Sequence, residues 1–415
     1  MIPLSEARRF VLSACRPLGS ARVTLAESPG HVLAETIRAG EDVPPFANSA
    51  MDGYAVRSAD TSGAPVRLRV VDTIMAGDNP TVPVGPGEAA RIMTGAPIPA
   101  GADAISMVEH TEPADAEEAV VIRQAVAPDT HVRRAGSDVA VGDEVFTPGT
   151  PLSAAHVGVL ASLGVESVLV HRRPRVGVIS TGDELVVGTG ALAPGKIRDS
   201  NRPSLLAQLG SDGWESTDLG RIPDDEGDLT EAFETGAARC DALVTSGGVS
   251  VGDRDLVKVV LEKLSQGTTR WMQIAIRPAK PFAFGTLGPT ATPVFGLPGN
   301  PVSALVSYEL LVRPALRFMA GFPNTDRPLL TAVADRDLSR RRDGKVHFAR
   351  VLATTDADGS LHVRASGAQD SHVLSAMADA NALAVLPDGD GVRAGERVDV
   401  LLLDAGRAAE AGGRW

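Results

Sequence analysis

The chain has 415 residues, enough for about three domains at ~150 residues each, and a net charge of -12 that argues against a general nucleic-acid or anionic-membrane surface while leaving room for a local basic pocket. Hydrophobic residues at 43% and charged residues at 22% are the proportions of an ordinary globular protein. Two cysteines, Cys15 and Cys240, give no disulfide framework, no stretch reaches the ~20 apolar residues of a membrane span, and MIPLSEARRF lacks a secretory core, so the expected location is cytoplasmic.

Residues 4–17 read as a helix capped by Ser5, with Leu4, Ala7, Val11, Leu12 and Cys15 on or near one face. From 21 to about 150, β-branched runs such as VRLRVVDTI and AVVIRQAV are broken by Pro and Gly at close spacing, which predicts a β-rich module. Residues 151–164 return to helix, capped by Ser153 and stopped by Gly164. A regular alternation follows. Strands are expected at 176–180, 242–245 and 294–297. Helices are expected at 201–209 (ended by Gly210), 229–239, 254–264 and from Asn300-Pro301 to about 320, with Pro314 kinking or ending the last. Such units imply a mostly parallel, doubly wound sheet with helices on both faces. From 327 to 405 short strands return (KVHFARVLAT, LHVRAS, ALAVLP, RVDVLLL) and predict a small β-barrel. DAGRAAEAGGRW reads as a frayed tail. The expected architecture is therefore multi-domain α/β plus β: β-rich N-terminal domains over 1–170, a central α/β domain over 171–322, a C-terminal β-barrel over 323–405 and a tail over 406–415.

Several motifs compete for the chemistry. GTGALA and GALAPGKI have dinucleotide-loop and P-loop character, but no helix follows, and Ile197 stands where the P-loop needs a hydroxyl. GVSVG around Ser250 has the form of a hydrolase nucleophile elbow. The acid and the later His that such a triad needs are not in the right context, and Ser250 reads better as a turn residue or hydrogen-bond donor. Three glycine turns follow sheet strands: STGDEL (Ser180, Thr181, Gly182), SGGVSVGD (Ser246, Gly247, Gly248, Ser250) and GLPGNP (Pro298, Gly299, Asn300). Turns of this kind present backbone N–H groups to phosphate-like anions at the carboxyl ends of strands. If they are neighbours, they form one oxyanion pocket. Their acids, Asp183, Glu184, Asp253 and Asp255, would repel an anion unless a hard cation such as Mg2+ intervenes. In IRPAKPF, Arg277 and Lys280 stand beside a strand on backbone that the prolines are expected to hold extended, and can bind a dianion. Asp199-Ser200-Asn201 reads as a helix cap, a kind of residue that can also contact a ligand bound close by.

PPFANSAMDGYAV (44–56), RIMTGAPIPAGAD (91–103), GSDV (136–139), GVISTGDEL (177–185), TSGGVSVGD (245–253) and FGLPGNPVSA (295–304) closely resemble the molybdopterin molybdenumtransferases, the MoeA proteins akin to the gephyrin E domain. The likeness extends to SGAQDSHVL and ALAVLP near the end. It implies a split N-terminal pair of domains, a central molybdopterin-binding α/β domain, a C-terminal β-barrel and a homodimer whose sites are shared between subunits. It also implies an activity. Adenylylated molybdopterin and molybdate are substrates, molybdenum enters the dithiolene, AMP is released and Mg2+ is required. By motif position, Asp52, Thr94 and Asp138 reach the site from the N-terminal part. Glu184, Asp224 and Asp255 serve substrate or Mg2+, with Asp253 beside them. Arg277, Lys280 and Ser303 hold molybdate, and Arg350 and Ser371 resemble further molybdate contacts. Partners implied are a molybdopterin adenylyltransferase and downstream molybdoenzymes. The sequence departs from the family pattern at Ala47 (often Asp), Gln273 (Lys in some members) and Arg277 (commonly Lys), the last keeping charge but changing geometry. Rival readings are a non-catalytic pterin-binding scaffold and a nucleotide-cleaving enzyme of the competence-damage type. The β-rich modules on either side argue against the second.

Overall fold

A strand that is apolar along its whole length must be buried on both faces. VGVIS, ALVTS and TPVFGL are such runs, and all three lie in the middle of a six-stranded sheet. The computed structural model describes residues 1–248 and 256–410. It divides into a first unit of Met1–Ala21, Gly30–Val32 and His171–Trp415 and a second of Arg22–Pro29 and Leu33–Val170.

The first unit contains α1 (Leu4–Ala14), β1 (Arg175–Thr181), α2 (Asn201–Ser211), β2 (Glu215–Ile222), α3 (Glu226–Arg239), β3 (Ala242–Ser246), α4 (Leu256–Leu264), β4 (Arg270–Gln273), β5 (Pro281–Leu287), β6 (Thr292–Leu297), α5 (Pro301–Ser307) and α6 (Arg313–Met319). The sheet order is β2-β1-β3-β6-β5-β4. The first four strands are parallel, whereas β5 and β4 run antiparallel to their neighbours. The sheet is mostly parallel, as expected, with β5 running against the others. A connection as short as that from β5 to β6 can only join antiparallel strands.

Helices cover both faces, as expected. Val176, Val178 and Val244 pack with Ala7 and Val11 of α1, Leu205 and Leu209 of α2, and Val302 and Val306 of α5. On the other face, Ile179, Leu243 and Val294 meet Leu229 and Phe233 of α3 and Val257, Val260 and Leu261 of α4. The last three stand at i, i+3 and i+4, the spacing that puts side chains on one helical face. Asp225 starts α3 by accepting from the amides of Gly227 and Asp228.

Five local expectations need correction. α1 ends at Ala14, not residue 17, because Pro17 disfavours helical backbone just before it, and Pro3 rather than Ser5 is the N-cap. α2 runs through Gly210 to Ser211, and the left-handed position that closes it falls at Gly213, φ +79°. Pro314 does not end its helix. A π-helical turn at Tyr308–Val312 links α5 to α6 just ahead of it, where a proline lacking an N–H must be accommodated. The prolines of IRPAKPF do not hold that segment extended throughout, since Ala279 adopts φ +73°. The expected frayed tail includes a helix, Ala405–Glu410. Asp404 Oδ1 accepts from the Arg407 amide, and the Arg407 guanidinium donates to the carbonyls of Ala378, Asp379 and Ala380.

The barrel comprises β7 (Leu329–Ala334), β8 (Val346–Thr355), β9 (Leu361–Ala365), β10 (Ala382–Leu386) and β11 (Arg397–Leu402), ordered β8-β9-β7-β11-β10. It closes because β10 pairs back onto β8. Ile276–Arg277, leaving the α/β sheet, adds to β8 in parallel, with Arg277 opposite His347.

The second unit is β-rich. A six-stranded sheet is built from Gly53–Val56, Val66–Ile74, Glu88–Ile92, Ala104–Met107, Thr111–Ala114 and Ala119–Ile122. The helix Ala154–Ser162 begins with a reciprocal cap between Ser153 and His156. Among the described residues no helix is long and apolar enough to cross a membrane.

Candidate active site

β1 ends at Thr181 and the chain turns through Gly182, Asp183 and Glu184. Gly182 holds φ +137°, and the Glu184 carboxylate folds over it so closely that a Cβ would stand 2.5 Å from Oε2. After β3, Gly247 holds φ +97°. A Cβ there would lie 2.7 Å from the Thr181 carbonyl oxygen, so the first two turns touch. The third turn follows β6, and the Gly247 N–H donates to the Leu297 carbonyl at 3.2 Å.

The stretch after the first turn draws all of this together. Asn201, the first residue of α2, donates from Nδ2 to Ser246 Oγ at 2.6 Å and to the Gly299 carbonyl at 2.7 Å. Its Oδ1 is buried without a partner. Ser180 Oγ donates to Asp199 Oδ2 at 2.6 Å, and the same carboxylate accepts from Arg202 Nε at 3.0 Å. Arg202 reaches on to Asp218 of β2. The three glycine turns are therefore neighbours at one sheet edge. Asp199 does the capping, accepting from the Arg202 amide, while Asn201 bridges turns. Ser180, Thr181, Gly182, Ser246 and Pro298 are buried, Gly247 and Gly248 half-buried, Gly299 and Asn300 exposed.

Acids gather on the first-turn side. The Asp183 amide donates to Asp224 Oδ2 and the Asp224 amide to Asp183 Oδ1, both at 3.3 Å. Lys196 Nζ donates to the Asp183 carbonyl at 2.7 Å. Glu184 and Asp224 are exposed. Among the described residues no three His, Cys, Asp or Glu side chains meet in a ready-made metal cage. Ser250, Asp253 and Asp255 lie outside the described residues.

Three stretches of the chain match known families. Residues 2–164 match the MoeA N-terminal region (domain I and II), 177–317 a probable molybdopterin binding domain and 331–403 the MoeA C-terminal region (domain IV). A molybdopterin molybdenumtransferase of Haemophilus influenzae is 39% identical over 404 residues, spanning 96% of this chain and 98% of that one. The chain belongs to the molybdopterin molybdenumtransferase family. A second member, molybdopterin molybdenumtransferase 2 of Mycobacterium tuberculosis, is 39% identical over 94% of this chain and 96% of its own. The solved structure of the molybdopterin biosynthesis moeA protein from Pyrococcus horikoshii OT3 superposes with a TM-score of 0.82 at 29% identity, covering 97% of this chain and all of that one.

In this member of the family a second polar centre lies where the barrel meets the α/β module. A cleft of about 200 Å3 is lined by Arg277, Arg340, Arg341, His347, Arg350 and Gln369, among others. Arg350 is 1% exposed. One guanidinium nitrogen donates to the carbonyls of Ala368 and Asp370, and Nε has no partner. Burial lowers its pKa, Asp370 opposes that shift and the nearby Arg277 adds to it. Gln369 fixes the strand here, accepting from the Arg350 amide and donating to its carbonyl. The Val302 amide, next to Ser303 in the chain, donates to the Ser371 carbonyl. Lys280 is exposed and does not line the cleft.

In the second unit, Asp52 Oδ1 accepts from both the amide (2.7 Å) and the hydroxyl (2.8 Å) of Thr94. These bonds, the amide first, hold its carboxyl below the ordinary range. Asp138 is exposed, and its N–H donates to the Val43 carbonyl. Sequence reasoning missed Asn201 as a bridge, the Asp199–Arg202 pair, and Arg340, Arg341, His347 and Gln369. The run SRRRDGK just before β8 was the available signal for the arginines.

Proposed function

We infer that this enzyme transfers molybdenum from molybdate to the dithiolene of adenylylated molybdopterin and releases AMP. The observation that carries the reading is the meeting of the three amide-lined turns around Asn201. A ligand carrying phosphates needs several oxyanion cradles at fixed separation, and the carboxyl edge of this sheet supplies them. Backbone around Gly182, Gly247, Gly248 and Gly299, with Asn300 beside it, binds the phosphate-bearing end, and Ser250 is proposed as a further donor to it. Arg277 and the buried Arg350 orient molybdate, a tetrahedral dianion, and Ser303 and Ser371 are proposed to add further contacts to it. Fixed cations in a small, partly desolvated cleft stabilise such an anion more than they would in water.

Mg2+ fits the donor set. The Glu184 carboxylate stands over the first turn, and carboxylates are the hard oxygens that Mg2+ takes together with substrate phosphates. Glu184, Asp253 and Asp255 would hold it, and when bound it supplies charge against the departing AMP phosphate. Asp52, Thr94 and Asp138 act on the same reaction, and the working form is a homodimer.

The test is molybdate-dependent release of AMP from adenylylated molybdopterin by purified protein. Turnover is expected to stop on chelation and return with Mg2+, and Asp255→Asn is expected to reduce it at least tenfold with little change in melting temperature. AMP release that ignores molybdate would overturn the reading.

A further inference from the structure

Among the described residues, the side chain of Asn201 hydrogen-bonds to both the second turn and the third from the stretch that follows the first. Asp199-Ser200-Asn201-Arg202 reaches all four parallel strands, at the carboxyl ends of β1, β3 and β6 and at mid-strand in β2. Asp199 holds Ser180 of β1, Arg202 holds Asp218 of β2, and Asn201 holds Ser246 of β3 and Gly299 just beyond β6. The choice of residue is specific. Both acceptors lie within 2.7 Å of one nitrogen, so two N–H groups must leave the same atom. Asp has no donor, and Ser has one. The Gly299 carbonyl can only accept, which fixes Nδ2 on this side and leaves Oδ1 on the other, where it has no partner. A buried oxygen without a donor is unfavourable, so the arrangement is retained for the two bonds the nitrogen makes.

We propose that Asn201 is a positioning residue of the reaction, acting through Ser246 and Gly299 to set the distance between the cradles that bind the substrate's phosphate-bearing end. The inference rests on the function argued above and deepens it. It also separates two halves of the site. Asn201 governs the nucleotide side, while the cleft around Arg277 and Arg350 is held by the barrel's own bonds through Gln369.

The experiment compares wild type, Asn201→Ala and Asn201→Asp. AMP and molybdate affinities are measured separately by calorimetry, with steady-state kinetics and melting temperature alongside. Asn201→Ala is expected to weaken AMP binding about tenfold, as loss of two hydrogen bonds implies, and to raise KM for the adenylylated substrate. Molybdate binding and melting temperature should stay close to wild type. Asn201→Asp places a carboxylate against the Gly299 carbonyl and is expected to bind AMP more weakly still. Wild-type AMP affinity in both variants would overturn the proposal. So would equal loss of AMP and molybdate binding with a lowered melting temperature, which is the mark of a merely structural role. Hydrogen exchange at the Gly247 and Gly299 amides gives a readout independent of turnover. Protection falls in Asn201→Ala if the clamp operates and is unchanged if it does not, even were wild-type protein to release no AMP.

Discussion

At Gly247 the backbone is left-handed and the Thr181 carbonyl fills the space a side chain would need. Gly247→Ala would meet both constraints at once. A non-glycine residue held in that region costs about 1–3 kcal/mol, and the close approach must also relax. Separation of the first two turns is the expected response, with kcat/KM down about a hundredfold, since misplacement of ~1 Å is enough for that. Kinetics together with circular dichroism check it, because the overall fold should persist. Arg350 supports a different prediction. One guanidinium nitrogen donates to two carbonyls while Nε is buried without a partner. Arg350→Lys keeps the charge and loses the fork. Molybdate saturation should shift at least tenfold upward with melting temperature nearly unchanged, and an unshifted saturation curve would remove Arg350 from the anion site.

At the junction of α5 and α6, Tyr308, Glu309 and Arg313 lie buried beside Asp212 and Arg327. Glu309 accepts from Arg327, and Tyr308 donates to Asp212 at 2.8 Å. Removing one partner of a buried charge pair leaves the other uncompensated, so Glu309→Ala should lose about 3–5 kcal/mol in urea denaturation. The segment entering β8 titrates instead. Lys345 first, then His347, hold the Asp343 carboxyl down at about 2. A carboxyl whose folded pKa is depressed stabilises the fold above its unfolded value and loses that contribution as pH falls through the folded one. The stability gap between wild type and Asp343→Asn should therefore be full near neutral pH and shrink between about pH 4 and pH 2. At this scale the sequence was legible where periodicity carried the signal. Apolar runs marked β1, β3 and β6, and the glycine turns marked the carboxyl edge. It was not legible where tertiary contact decided. Asn201 and a plain helix cap have the same letters. SRRRDGK reads as a solvated charge run until Ile276–Arg277 pairs with β8 and brings Arg277 beside it. The direction of β5 depended on a short connection that the alternation of strands and helices concealed.

The chain passes between its two units at residues 21–22, 29–30, 32–33 and 170–171, yet each unit closes its own apolar cores. Ala55, Ile74, Ile92 and Ile105 form one such core in the second unit, and Leu229, Phe233, Leu243 and Val260 one in the first. No residue is shared between these clusters. Chains built in this way depart from single-step unfolding, because each core can melt at its own temperature. Truncating a buried Ile to Ala costs about 2–5 kcal/mol and a Phe about 3–5 kcal/mol, mostly within the core that contains it. Calorimetry on wild type, Ile105→Ala and Phe233→Ala should therefore resolve two components. The first substitution should lower one melting component, the second the other. Ligand adds an independent check, since AMP bound at the turns of the first unit should raise the component that Phe233→Ala lowers. A single transition moved equally by either substitution would mean that the two units unfold as one.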